Sequence, residues 1–193
     1  MASISLTRTT KETEIGLTFN LYGSGQAQID TGIGFFDHML TALAVHGDLD
    51  LTLKCQGDLY VDGHHTVEDV GIVFGQALAQ AVGDKKGISR YGTFYVPMDE
   101  ALARAVLDFS GRPYLVFDAV FQPQPLGGFD PFLTEEFFRA VVYQAGLTAH
   151  LTLLSGKNDH HKIEALFKAF AHALKMAAEP NGQAVPLSTK GVL

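Results

Sequence analysis

One cysteine, Cys55, is the only thiol in this 193-residue chain, and a lone thiol excludes an intrachain disulfide framework. A reducing compartment is the expectation that follows. Long apolar runs are also missing. No stretch is apolar enough to span a bilayer, and the opening MASISLTRTTKETE has no apolar signal core. The expected protein is soluble and cytoplasmic, with no membrane partner. Positive charge is in deficit, with 14 Lys and Arg against 21 Asp and Glu and a net charge of −7. That balance argues against nucleic acid as a partner, although a few arginines can still form a pocket for a small anion. Several familiar motifs are absent: a glycine-rich GxGxxG after a strand, a Walker A loop, GxSxG and HExxH. These absences argue against common nucleotide-binding, serine-hydrolase and zinc-protease solutions.

What is present is a repeated signature. VDGHHTVEDVG at 61–71 and KNDHHKIEALF at 157–167 each place a His-His pair ahead of a glutamate: His64, His65 and Glu68, then His160, His161 and Glu164. Four of the eight histidines fall in these two pairs. Adjacent histidines rarely serve a hydrophobic core, whereas imidazole and carboxylate are ligands for first-row transition metals.

The surroundings repeat as well. With 47% hydrophobic and 18% charged residues the chain is globular, one large domain or two small ones. The first half shows a strand near 14–22 and a helix at 35–47 with Phe36, Met39, Leu40 and Leu43 on one stripe. An alternating strand at 48–55 and a His-His helix over roughly 64–83 follow. In the second half, strands near 103–110 and 114–121 precede a Pro- and Gly-rich loop at 122–131. A helix capped by Thr134, an alternating strand at 147–155 and a His-His helix of about 160–178 complete it, before an irregular tail. His38 stands 26 residues before His64, and Glu136 stands 24 before His160. This register indicates internal duplication: pseudo-repeats of about 1–95 and 96–180 within one domain, plus the tail.

Helix geometry then constrains the ligands. Residues i and i+4 share a face, while i+1 is rotated by about 100°. His64 and Glu68 can grip one ion while His65 points toward another, and His160, Glu164 and His161 repeat the pattern. Pseudo-two-fold packing would give one site of His64, Glu68 and His161 and another of His160, Glu164 and His65. Glu136 is offered to the first and His38 to the second. Mixed imidazole and carboxylate ligands suit Mn(II), Fe(II), Co(II) or Zn(II), and disfavour Mg(II), Ca(II) and thiolate-type structural zinc. Arg90, Arg112 and Lys190 lie in turn-like stretches where cations can hold a phosphate, with Ser188 adding a hydroxyl. Asp99 in PMDEAL is a candidate turn cap, and His46, His150 and His172 fit ordinary strand or helix positions. A metal-storage cage would need no phosphate set. A helical-bundle dimetal oxidase or hydrolase would carry Glu-x-x-His, the reverse order, and no alternating strands.

FFDHML, DGHHTVEDVG, the SGRP turn, KNDHHKIEALFKAFAHAL and the terminal STKGVL together resemble imidazoleglycerol-phosphate dehydratase, over nearly the whole chain and in order. The resemblance implies an α+β fold of duplicated βαβ-type halves, sheets packed against helices, related to the second domain of ribosomal protein S5. It implies a homo-oligomer, a twenty-four-subunit octahedral shell with active sites between subunits. Two Mn2+ per subunit are implied, one on His38, His65, His160 and Glu164, the other on His64, Glu68, Glu136 and His161. Many relatives carry histidine where this chain has Glu136, a substitution that keeps a metal ligand. The phosphate of the substrate falls to Arg90, Arg112, Ser188 and Lys190, with Lys168 nearby, and proton transfer to Glu12, with Glu164 or a metal-bound water as alternatives. The implied reaction dehydrates imidazole glycerol phosphate to imidazole acetol phosphate. Its chemistry calls for a metal-bound imidazolate that expels the C3 hydroxyl, and for a diazafulvene whose C2 proton a carboxylate can take.

Overall fold

The structure is a computed structural model, and it describes residues 3–189. Twelve elements follow one another in two matching series. The first is β1 (Ile4–Thr9), β2 (Thr13–Asn20), β3 (Ala27–Asp30), α1 (Gly34–Gly47), β4 (Asp50–Gly57) and α2 (His64–Val82). The second is β5 (Tyr91–Met98), β6 (Ala101–Asp108), β7 (Tyr114–Asp118), α3 (Leu133–Ala145), β8 (Thr148–Ser155) and α4 (Asp159–Ala178). Each series builds a four-stranded sheet of the same order, β1-β2-β4-β3 and β5-β6-β8-β7. Only β3 with β4 and β7 with β8 pair in parallel, which requires a crossover; α1 and α3 supply it. The fold is α+β with an internal duplication. Its second series begins at β5, at Tyr91.

Alternation decides which face of each sheet is covered. β2 reads buried-exposed throughout, with Ile15, Leu17 and Phe19 turned inward and Glu14, Gly16 and Thr18 outward. The His-His helices cover the inner faces, α2 on β1, β2 and β4, and α4 on β5, β6 and β8. The crossover helices then reach across, α1 onto α4 and α3 onto α2, so the helices lie between the sheets. Phe36, Phe74, Phe129, Phe137 and Phe167 are fully buried where the halves meet, in one core that includes both series. Close approach is built in at two glycines. A Cβ at Gly75 of α2 would lie 2.6 Å from the Val141 carbonyl of α3, and one at Gly92 of β5 would lie 1.9 Å from the Ala173 carbonyl of α4. No helix among the described residues is long and apolar enough to cross a membrane.

Thr134 does not cap α3. The helix begins one residue earlier, and the Thr134 hydroxyl is buried without a hydrogen-bond partner. Asp130 starts the turn instead: its side chain accepts from Phe132 N at 3.0 Å and its carbonyl from Leu133 N at 2.9 Å. An Asx-type turn competed for the helix start and won. The other boundaries shift by a few residues. Strands β1, β3 and β5 add edges that periodicity does not reveal.

Candidate metal centre

The first turn of α4 is set by Asn158, whose side chain accepts from His160 N at 2.9 Å; Asp62 does the same for His64 N at 2.8 Å at the start of α2. The Asn158 cap and the Asp62 Asx-type turn fix where each His-His pair enters its helix. One turn into α4, His160 Nε2 lies 3.1 Å from Glu164 Oε2. Because α1 packs on α4, His38 Nε2 reaches the same oxygen at 3.4 Å. His38, His160 and Glu164 thus offer one ligand atom each, all within 4.8 Å of one another. The Phe35 ring stands edge-on to His160, centroids 5.1 Å apart, and restrains its imidazole.

Glu164 is buried, and its second oxygen, Oε1, pairs with Lys168 Nζ at 2.7 Å. Burial pushes its carboxyl upward, but the Lys168 hydrogen bond and charge, with His38 and His160, outweigh it and hold the pKa below the ordinary value. The charged carboxylate keeps Oε2 toward the two imidazoles. Two imidazole nitrogens and one carboxylate oxygen fit a first-row divalent cation.

The related group in the other helix pair is more open. His64 and Glu68 lie on α2 and Glu136 on the neighbouring α3, but Glu136 Oε2 turns toward Arg139 Nε at 3.5 Å. Among the described residues no second group of three or more ligands gathers within the distance that unites the first. His64 borders a cavity of about 450 Å³ with Asp62, Gly128, Asp130 and Leu133. His65 and His161, read from sequence as crossing over to the opposite half's pair, turn elsewhere. His65 Nδ1 lies 3.0 Å from Asp58, and His161 Nδ1 lies 2.9 Å from Glu100. Those hydrogen bonds raise the pKa of both imidazoles. Glu12, in the β1–β2 turn, brings Oε1 to 3.8 Å from His65 Nε2. The cross-half triads expected from helix geometry therefore do not close within a single chain.

A family model described as imidazoleglycerol-phosphate dehydratase matches residues 31–174. The chain belongs to the imidazoleglycerol-phosphate dehydratase family. It is 56% identical to the Lacticaseibacillus casei member over the full length of both chains, and 55% identical to that of Desulfotalea psychrophila over 98% of this chain and 95% of the other. Its fold is similar to the crystal structure of the Staphylococcus aureus dehydratase, with a TM-score of 0.84 at 46% identity over 93% of this chain and 99% of that one. It is also similar to the Pyrococcus furiosus dehydratase in complex with (S)-C348, with a TM-score of 0.85 at 36% identity, covering 97% of this chain and 100% of that one. The family is one of hydro-lyases in histidine biosynthesis.

For a dehydratase of a phosphate ester, the cationic residues matter next. Arg90, Arg112 and Ser188 belong to one end of the second sheet; Lys190 lies outside the described residues. Arg90 is buried, with Nε 2.6 Å and Nη2 3.1 Å from the two oxygens of Asp108, and it donates to the Leu187 carbonyl. Its guanidinium also stands 4.7 Å from the Tyr91 ring centroid. Arg90 therefore ties the tail beside Ser188 to the sheet, while Arg112 remains exposed. Arg90 N donates to Ala177 O, near the far end of α4 from His160. At 1.5 Å per residue that helix puts about 20–25 Å between the Arg90 backbone and the Glu164 and His160 of the His38 cluster. Asp58 and Glu100 stand outside both HHxxE runs. Asp58 lay six residues before the first His pair as a faint signal; Glu100, remote from His161 in sequence, gave none.

Proposed function

We propose that this chain removes water from D-erythro-imidazole glycerol phosphate to give imidazole acetol phosphate, using Mn2+, two ions per subunit. The observation that carries the reading is the convergence of His38, His160 and Glu164 across the α1–α4 interface, in a member of this family. Together with His65 they would hold one ion, and His64, Glu68, Glu136 and His161 the other. Bound ions would supply Lewis acidity toward the substrate's imidazole and fix its position.

The remaining tasks belong to side chains. Glu164, held charged by Lys168, anchors the cluster in a fixed orientation. Glu12, beside His65 on an exposed turn, is assigned proton transfer at the substrate's C2–C3 unit. Its turn is firm, because Thr10 Oγ1 accepts from Glu12 N at 3.1 Å and Thr13 N at 2.9 Å. Arg112, Ser188 and Lys190 would bind the phosphate, with Arg90 fixing the tail that carries two of them.

Separation supports a shared site. The cationic end of one chain is too far from its own His38 cluster for a small phosphate ester to touch both. Active sites between subunits of a homo-oligomer, as in a twenty-four-subunit shell, bring the two ends together. A dehydration assay with Mn(II), with and without chelator, tests the activity; metal-replete protein that forms no ketone would defeat it. A monomer by light scattering under assay conditions would defeat the shared site.

A further inference from the structure

The two second histidines, His65 and His161, are held in the same way by residues from different places. In the first half the partner is Asp58, in the loop between β4 and α2, with its carboxylate oxygens 3.0 and 3.2 Å from His65 Nδ1. In the second half it is Glu100, in the β5–β6 hairpin, with Oε2 2.9 Å from His161 Nδ1. These positions are not equivalent in the duplication; the counterpart of the Glu100 hairpin is the turn that carries Glu12. A contact reached twice from different positions is not simply inherited from one ancestral half.

Each carboxylate belongs to a brace between hairpin and helix loop. Asp58 N donates to the Glu12 carbonyl at 3.0 Å. Glu100 Oε1 accepts from Lys157 N at 2.9 Å and Asn158 N at 2.8 Å, just before α4. The opposite ring nitrogens face a hairpin carboxylate beyond hydrogen-bond distance, Glu12 at 3.8 Å and Asp99 at 3.7 Å. A neutral imidazole has one donor nitrogen and one acceptor. A carboxylate at Nδ1 keeps the proton there and leaves the Nε2 lone pair for an electrophile.

We propose that Asp58 and Glu100 are paired positioning residues, which fix the Nδ1–H tautomer of His65 and His161 and present each Nε2 to a divalent cation. The role rests on the reading above that these two histidines are metal ligands. Asp58→Ala and Glu100→Gln test it with the backbone braces kept, since the main-chain N–H at position 58 and the Gln amide oxygen remain. In metal-free protein labelled with 15N-histidine, NMR of the neutral rings should show Nδ1–H for both histidines. Each variant should shift its own histidine toward the Nε2–H form. Mn(II) titration followed by EPR should show about 10–100-fold weaker binding at one site in each variant, with partial recovery in Asp58→Glu and Glu100→Asp. Unchanged tautomers overturn the proposal. Shifted tautomers with unchanged Mn(II) affinity overturn the positioning role while leaving the ligand assignment intact. Unchanged Mn(II) binding in His65→Ala and His161→Ala removes the ligand assignment, and the positioning role with it.

Discussion

Helices α1 and α4 bring histidines together at both ends of their shared interface, and the two meetings differ in chemistry. At the N-terminal end the His38 and His160 rings lie 5.6 Å apart, with the buried Glu164 carboxylate aimed between them. Toward the C-terminal end His46 Nδ1 lies 3.2 Å from His172 Nε2, and Phe94 stacks on His172 at 4.3 Å. The carboxylate nearby, Asp48, is paired with Lys175. Burial pushes both imidazoles down; neighbouring Lys168 and the His172 ring add to this for His46 against Glu164, and Lys175 adds to it for His172 against Asp48. A pair of imidazoles is thus common to both ends. The buried anion directed at them distinguishes a candidate cation site from a packed aromatic contact.

Substitutions at the two ends should separate these roles. The largest effect is expected from Glu164→Gln. Loss of an outer partner typically weakens metal binding about 10–100-fold, so loss of Glu164, a direct ligand in the proposed site, should cost at least about 100-fold in Mn(II) affinity and a similar factor in turnover. Elemental analysis should show one ion fewer per chain, and Glu68→Gln should remove one ion in the same way. Glu12→Gln should retain Mn(II) and substrate while turnover falls by roughly 10²–10⁴, read from single-turnover ketone formation. Near-normal turnover would remove Glu12 from proton transfer.

At the other end the effects should be structural. Phe94→Ala removes the ring stacked on His172 and should lower unfolding stability by about 1–2 kcal/mol in denaturant titration, with the metal count unchanged. The smallest effect concerns pH. His46 and His172 have folded pKa values below the unfolded one, so protonation favours the unfolded chain. Their contribution to stability is full above about pH 6.5 and is lost as pH falls through the depressed folded values. Relative to wild type, His46→Gln combined with His172→Gln should flatten that acid-side loss in urea midpoints. An identical slope would mean that the pair titrates normally. His65 and His161, with raised pKa values, act in the opposite sense in both proteins, so the difference between curves isolates the pair.

The elements legible in the sequence were those with strong periodicity. α1, α2 and α4 bury continuous stripes, and β4 and β8 carry alternation on central strands. The strands that periodicity does not reveal, β1, β3 and β5, are all sheet edges. β3 has only four residues, and β5 contains Gly92 and Pro97, which read as breakers although proline is admissible at an edge. The site divided similarly. Both HHxxE runs were plain, because histidine and glutamate share one turn of one helix. Which helices meet was not, because α1 meets α4 and α2 meets α3 across the duplication.

The sequence by itself determined the residue types of the two HHxxE runs, their helical spacing, the duplication and the family. Tertiary packing decided that His38 joins His160 and Glu164, that His65 and His161 turn to Asp58 and Glu100, and that the cationic end stands far from the cluster. The physical reason is range. A helical repeat fixes neighbours within a turn, whereas the meeting of distant side chains depends on how whole sheets and helices bury their apolar faces.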